Sequence, residues 1–177
     1  MGYQFDDYLL RKPEMNDLEA LYSFKNDPEI AGMLVGFSTG YSITDIKDWI
    51  EYHKKQKDEI FWVIAEKETN RCIGHVGIYQ IDYRVRKAEF GIIIGDKTLW
   101  GKGLGSIFTK FAIEYAFNDL NLMRIQLSVL ATNERAYQLY KSLKFKEEGR
   151  LRRAQYKEGQ YIDIFIMGLL KEDYYSK

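Results

Sequence analysis

A glycine-rich turn that leads directly into an amphipathic helix constrains the fold of this chain most. The turn reads Trp-Gly-Lys-Gly-Leu-Gly at residues 100–105. From Leu104 the apolar residues recur on one helix face, at Ile107, Phe108, Phe111, Ala112, Tyr115 and Ala116. An apolar run at residues 88–94 precedes the turn and is typical of a buried strand. The order of strand, turn and helix predicts a helix packed on a sheet.

This turn suits the binding of a phosphate group. Gly101, Gly103 and Gly105 allow the backbone to bend and to approach a ligand, and the helix start offers unpaired N–H groups and the positive end of its dipole. A Rossmann fingerprint would need glycine where Ser106 stands, and no reading of the stretch gives a P-loop. From the residues alone, the glycines either hold a phosphate or only make a tight turn.

A second segment, read together with the turn, helps to choose between phosphate binding and a simple tight turn. It begins at Asn133, which is a good helix N-cap. The apolar positions that follow have helical spacing, at Ala136, Leu139, Tyr140 and Leu143. We therefore predict a helix over residues 134–143.

With both segments in view, the chain resembles the GCN5-related N-acetyltransferase (GNAT) family. In that family the turn carries an Arg/Gln-x-x-Gly-x-Gly/Ala pattern, and a later helix reads Asn-x-x-Ala-x-x-x-Tyr before a Gly-Phe pair. The chain matches this pattern at Gly103, Gly105, Asn133, Ala136, Tyr140 and Phe145. It departs from it at Trp100, where Arg or Gln is usual, and at Lys144, where Gly is usual. Trp100 is similar to the Trp-Gly-Lys-Gly variant of the ribosomal-protein and spermidine acetyltransferase branch.

The resemblance implies the GNAT fold, an α/β (α+β) arrangement with a mixed, mostly antiparallel sheet of about seven strands and about four flanking helices. The residue patterns predict the order βααβββαβαββ, with strands at residues 8–11, 60–65, 73–81, 88–94, 124–129, 145–154 and 160–170. Two early helices are predicted from the capping pairs Asn16/Glu19 and Ser42/Asp45. Residues 26–41 are expected to be irregular, and we expect a single domain over residues 1–177.

Composition argues against several classes of function. The 26 Lys and Arg residues equal the 26 Asp and Glu residues, so we expect neither a nucleic-acid partner nor a membrane surface. No apolar run is long enough to cross a membrane and no leader is evident, which predicts a cytoplasmic protein. Cys72 is the only cysteine and is expected to be a packing residue. His53 and His75 lack partners in sequence, so no metal site is expected.

The resemblance implies acetyl-coenzyme A as the co-substrate. We expect its pyrophosphate on the turn, with Lys102 as a nearby cation, and its pantetheine arm along the preceding strand. The expected contacts are Ile92, Ile93, Ile94, Trp100, Gly101, Lys102, Gly103, Leu104, Gly105, Ser106, Asn133 and Tyr140. Lys102 could equally be a solubility residue, and Asn133 could serve only as a helix cap.

Tyr140 is the candidate general acid for the departing thiolate. A phenol is protonated at neutral pH and can give up its proton as the bond to sulfur breaks. The alternative is that Tyr140 only packs on the apolar face, and Tyr137 would then be the fallback. Glu89 interrupts an apolar strand and is the candidate base, acting on the amine through a water. The alternative is that Glu89 is a carboxylate at a sheet edge that pairs with Arg86 or another basic residue.

The acceptor is less well defined by the sequence. The resemblance implies that it lies between residues 26–41, which offer Phe37 and Tyr41, and the final hairpin. Acidic residues are few in that segment, so a polyamine, an amino sugar or its nucleotide conjugate, and a protein N-terminus all remain candidates. A homodimer through the last strands is expected by analogy with family relatives. The alternative to an enzyme is a non-catalytic module that binds coenzyme A or a partner.

Overall fold

Eight strands form one mixed sheet in the computed structural model, which describes residues 2–176. The strands are β1 Tyr3–Gln4, β2 Tyr8–Arg11, β3 Ile60–Glu66, β4 Cys72–Asp82, β5 Lys87–Ile94, β6 Arg124–Leu130, β7 Lys146–Lys157 and β8 Gln160–Leu170. They lie in the order β1-β2-β3-β4-β5-β6-β8-β7. Neighbouring strands are antiparallel except for β5 and β6, which are parallel. The predicted mixed, mostly antiparallel sheet is therefore confirmed.

Residues 2–176 also form six α-helices: α1 Leu18–Asn26, α2 Pro28–Met33, α3 Ile43–Lys55, α4 Leu104–Asn118, α5 Glu134–Ser142 and α6 Lys171–Tyr175. Short 3₁₀ turns, Met15–Asp17 and Lys97–Leu99, precede α1 and the glycine turn. The helix predicted from Leu104 is α4, and the helix predicted from Asn133 is α5.

The two faces of the sheet carry separate apolar layers. Alternation along β3 shows the division, because Trp62 and Ile64 belong to one layer and Phe61 and Val63 to the other. The first layer is covered by α4, whose completely buried side chains include Phe108, Ala112, Ile113, Ala116 and Phe117. The second is covered by α1 and α3, through Leu21, Ile46 and Ile50.

The parallel strands β5 and β6 separate soon after they meet. Their pairing runs from Lys87 with Arg124 to Glu89 with Gln126 and then ends. Beyond that point β5 still pairs with β4, and β6 still pairs with β8. The backbone of each strand therefore faces a gap on the side where the other strand would have been. This gap positions the site described below.

Three elements were not predicted. β1 adds an eighth strand beside β2, and α6 follows β8 directly. The segment expected to be irregular contains α2, because Asp27 accepts hydrogen bonds from the N–H groups of Glu29 and Ile30 and Pro28 occupies the first helical turn. An Asp-Pro pair is a helix-start signal in its own right, even where glycines follow.

The predicted cap of the first helix was wrong. Instead of Asn16 with Glu19, the capping box joins Glu14 and Asp17. Asp17 is buried and forms an ion pair with Arg11, whose Nη2 lies 2.8 Å from Asp17 Oδ1. The capping box predicted for Ser42 and Asp45 is confirmed.

Candidate active site

A cavity of about 560 Å³ opens where β5 and β6 separate. Residues 90–94 of β5, the glycine turn and the start of α4 form one side. Ser128 and Val129 of β6 and residues of α5 as far as Tyr140 form the other. Met33 at the end of α2 and the next residues, Leu34 and Val35, also line the cavity, and β4 contributes His75 and Tyr79. The cavity thus joins the two segments that the sequence singled out.

The glycine turn presents a row of free backbone donors. Gly101 and Gly103 both have φ of +81°, where a residue with a side chain is strained, although an added Cβ would contact nothing within 4 Å. The carbonyl of Gly103 accepts from the N–H groups of Ser106 and Ile107, at 3.0 and 3.1 Å. Within residues 2–176, no acceptor pairs with the N–H groups of Gly103, Leu104 and Gly105. These donors and the dipole of α4 suit phosphate oxygens.

Trp100 ties this turn to the end of β5. Its indole Nε1 donates to the carbonyl of Ile94 at 2.8 Å. The guanidinium of Arg135 lies over the indole ring, 5.7 Å from its centroid, and Arg135 also lines the cavity. The expected cation Lys102 is exposed and lies outside the cavity lining. Arg135, which sequence reasoning missed, therefore supplies the positive charge on this wall.

Close packing of α4 against α5 brings the two segments together. A Cβ on Gly105 would lie 3.3 Å from Leu139 Cδ2, so glycine here also allows the helices to approach. Asn133 caps α5 by accepting from the N–H of Ala136 at 3.1 Å. Its Nδ2 donates to the carbonyl of Met33, also at 3.1 Å, which fixes the cavity entrance to α5.

Tyr140 is buried in the cavity wall. Its ring packs edge-on against Phe90 and Phe145. Burial raises the pKa of the Tyr140 phenol to about 12, so the group keeps its proton at neutral pH. Tyr137, the fallback, donates its hydroxyl to Glu147 Oε2 at 3.0 Å and lies outside the cavity lining. The structure thus brings Tyr140, and not Tyr137, to the glycine turn.

Glu89 lies at the vertex where β5 and β6 separate, just outside the cavity lining. Its Oε1 accepts from Gln126 Nε2 at 3.2 Å. The alternative of an edge carboxylate paired with Arg86 is not what the structure shows. β5 is an interior strand, and Arg86 donates instead to the backbone and side chain of Asn121.

Phe37 and Tyr41 are not brought to the cavity. Phe37 is 81 % exposed, and Tyr41 packs against the layer under α1 and α3. The residues of this segment that do line the cavity are Ile30, Met33, Leu34 and Val35. The helix α2, which the sequence did not predict, explains this difference, because it moves the end of the segment over the gap.

His75 and Tyr79 are cavity residues that sequence reasoning missed. The ring of Tyr79 folds over Gly77, where an added Cβ would lie 2.3 Å from Tyr79 Cζ, and it also contacts Gly91. His75 is only 6 % exposed, and neither ring nitrogen has a hydrogen-bond partner in the described residues. Burial, with the charges of Lys25 and His53, lowers the pKa of His75 to about 3. Gly77 of β4 and Gly91 of β5, which pair across the two strands, were the sequence signal that could have indicated these cavity residues.

The charged side chains that line the cavity are positive only, within the described residues. Among the described residues that line it, Arg135 is charged and none is a carboxylate. Residues 2–176 contain no group of three His, Cys, Asp or Glu side chains arranged to hold a metal ion. Over the same residues, no helix has the length and apolar character needed to span a membrane.

Comparison with known proteins identifies one family. The model of the GNAT acetyltransferase domain matches residues 7–146. An uncharacterized N-acetyltransferase, p20, of Bacillus licheniformis is 33% identical over 167 residues, covering 93% of each chain. The spermidine N(1)-acetyltransferase of Vibrio cholerae is 32% identical, covering 95% of each.

A solved structure agrees with these matches. The crystal structure of spermidine N-acetyltransferase from Vibrio cholerae in complex with CoA and spermine superposes with a TM-score of 0.87. It is 29% identical, and the match covers 96% of this chain and 99% of that one.

Proposed function

The chain belongs to the GNAT acetyltransferase family and is an N-acetyltransferase that uses acetyl-coenzyme A, and we propose that it acetylates a small primary amine by direct attack in a ternary complex. The observation that carries this proposal is the protonated phenol of Tyr140, which lines the same cavity as the free N–H groups of the glycine turn. One cavity thereby offers both a phosphate-binding turn and a proton donor.

The residues present fit acetyl-coenzyme A. The N–H groups of Gly103, Leu104 and Gly105 would hold phosphate oxygens, and Arg135 would add a cation. Residues 90–94 of β5 have no strand paired on the side facing β6, so their backbone groups can hydrogen-bond an extended amide-containing arm. The co-substrate supplies the acetyl group as a thioester.

Tyr140 would protonate the departing sulfur. Its neighbours Phe90 and Phe145 hold the ring on both sides, so that the hydroxyl has a fixed position. A phenol of raised pKa gives up its proton only to a strongly basic partner, and a thiolate formed in an apolar cavity is one.

Glu89 would accept the proton of the amine through a water. Its carboxylate is held by Gln126 and lies at the vertex of the gap rather than inside the cavity, so direct contact with the amine is not required. A carboxylate at this position also orients a cationic amine towards the gap.

Three acceptor classes stay open: a polyamine, an amino sugar or its nucleotide conjugate, and a protein N-terminus. The Vibrio cholerae relative, named for spermidine, makes a polyamine the first to test. The carboxylate-free lining favours an amine with fewer positive charges. Assembly through β7 and β8 into a homodimer stays a prediction.

The test is release of free thiol from acetyl-coenzyme A in the presence of an amine panel. The panel contains spermidine, amino sugars, their nucleotide conjugates, amino acids and short peptides with free N-termini. We expect release with one class of small amine and none without an amine. Coenzyme binding with no release for any amine would contradict the proposal.

A further inference from the structure

We propose that His75 hydrogen-bonds the amine acceptor and that, with the charge of nearby Lys25, it selects an acceptor carrying a hydroxyl group over one carrying a second ammonium. This inference rests on the proposed function and names the acceptor class of the same site. It depends on three features: an unpaired imidazole, an uncompensated cation, and nearby carboxylates that are already engaged.

The imidazole of His75 has unused hydrogen-bonding capacity. A neutral ring carries one N–H donor and one acceptor nitrogen, and neither has a partner in the described residues. Leaving such groups buried and unpaired costs about 1–3 kcal/mol each, so proteins usually satisfy them with a ligand or a water. Thr109, the other residue with this feature, lies outside the cavity lining, whereas His75 lines it.

His75 lies on the face of the sheet opposite Tyr140. It pairs with Ile93 across β4 and β5, and its ring packs on Phe61 and Trp49 of the layer under α1 and α3. Tyr140 belongs to the layer under α4. Since one cavity is lined by both residues, it passes through the gap from one face to the other. An acceptor held by His75 would therefore meet the thioester from the side away from Tyr140.

Lys25 places a positive charge behind His75, outside the residues that line the cavity. Its ammonium lies over the rings of Trp49 and Tyr41, at 4.1 and 5.2 Å from their centroids. No carboxylate pairs with it among residues 2–176. Burial lowers the pKa of Lys25 to about 8, which leaves it mostly protonated at pH 7. Its charge disfavours protonation of His75, and it would disfavour a second ammonium there for the same reason.

The nearby carboxylates are engaged elsewhere. Glu59 Oε1 lies 2.5 Å from His53 Nδ1, and Glu89 accepts from Gln126. Asp27 and Glu29 both pair with the ammonium of Lys97, at 2.8 and 3.0 Å. A polyamine would have to compete for these groups, while a hydroxyl group can pair with neutral His75 directly.

The experiment compares two acceptors that differ in a single group. 3-Aminopropan-1-ol and 1,3-diaminopropane have the same length, and one carries a hydroxyl where the other carries an ammonium. At saturating acetyl-coenzyme A, we expect kcat/KM to be severalfold higher for the amino alcohol, and glucosamine to be preferred over spermidine. His75→Phe should raise KM for the amino alcohol about tenfold, the loss of one hydrogen bond, without changing KM for acetyl-coenzyme A.

Two further variants separate recognition from packing. Lys25→Met keeps the apolar part of the side chain and removes its charge, so it should lower the ratio of kcat/KM for the amino alcohol to kcat/KM for the diamine. Lys55→Met, at the exposed end of α3, should leave that ratio unchanged. His75→Phe should melt no lower than the parent protein at pH 7, because it replaces an unpaired polar group. Equal or better turnover of the diamine, or an unchanged acceptor KM in His75→Phe, would overturn the inference alone. Absence of turnover with every amine would overturn the proposed function and the inference together.

Discussion

Glu89 and Gln126 form the last pair of the β5–β6 ladder, and their side chains are joined by a hydrogen bond of 3.2 Å. The gap that becomes the cavity opens immediately beyond them. An amide donor fixes the carboxylate without neutralising its charge. Glu89 is therefore held in place at the vertex of the gap, with its second carboxylate oxygen left to accept a proton.

Glu89→Gln keeps the shape of the side chain and replaces the carboxylate by an amide. We expect kcat/KM for the amine to fall at least tenfold, on the scale of general base catalysis. The loss should be largest below the pKa of the amine, where the acceptor must still give up a proton. A pH–rate profile of both proteins measures this effect.

Gln126→Met and Glu147→Gln are the controls for that variant. Gln126→Met leaves the carboxylate but frees it, so a smaller, severalfold loss is expected. Glu147 lies on β7 and contacts Tyr137, so Glu147→Gln should be neutral. Superimposable pH profiles for Glu89→Gln and the parent would remove Glu89 from the mechanism.

Tyr140→Phe tests the proton donor. Because the hydroxyl is the only group removed, turnover should fall tenfold or more while the Kd of acetyl-coenzyme A, measured by calorimetry, stays within about twofold. Tyr137→Phe is a matched control on the same helix and should keep the parent turnover. If both variants turn over at the parent rate, the ring of Tyr140 only packs.

The framework of this site was predictable because it is encoded locally. The caps at Ser42 and Asn133 and the glycine turn depend on residues a few positions apart, and the structure has each of them where it was predicted. The predicted cap at Asn16 was wrong because the capping box lies two residues earlier, between Glu14 and Asp17, where Asp17 also pairs with Arg11 of β2.

The acceptor side was not predictable for a related reason. β4 is buried on both faces, so its sequence does not tell which residues line a cavity. That depends on the register of β4 against β5 and on where β5 leaves β6. His75 therefore resembled a core residue, while Phe37 and Tyr41 resembled pocket residues only because α2 was not anticipated.

Gly103→Ala tests the glycine turn. At φ of +81° an alanine is strained by about 1–2 kcal/mol, although its Cβ meets no neighbour. The turn should relax and move its N–H groups, so we expect the Kd of acetyl-coenzyme A to rise about tenfold. Gly149→Ala is the control, because Gly149 also has open space around it and its φ is not positive. Equal affinity in the two variants would mean that the turn does not depend on glycine.

The buried His75 predicts acid sensitivity of the fold. The unfolded chain binds a proton at this residue below about pH 6.5, whereas the folded chain resists protonation down to about pH 3. Stability must therefore fall as the pH falls through this window, by about 2 kcal/mol between pH 7 and pH 5. Urea unfolding at these two values measures the loss. In His75→Phe, the free energy of unfolding should fall by about 2 kcal/mol less over the same pH range. If the free energy of unfolding falls equally in both proteins, His75 is protonated in the folded state.

Lys144 is strained where the family usually has glycine. It follows α5 with φ of +68°, and its ammonium donates to the carbonyls of Tyr174 and Ser176 at 3.2 and 2.6 Å. Lys144→Gly relieves the backbone strain, which favours the folded state. It also loses these exposed contacts and makes the unfolded chain more flexible, which both disfavour the folded state. Because these effects oppose one another, the free energy of unfolding should change by less than about 1 kcal/mol. Lys144→Val should lower it by about 1–2 kcal/mol, because a β-branched residue fits this conformation poorly. Urea unfolding with an unchanged m-value would measure both effects, and a valine variant as stable as the glycine variant would show that the turn adapts without strain.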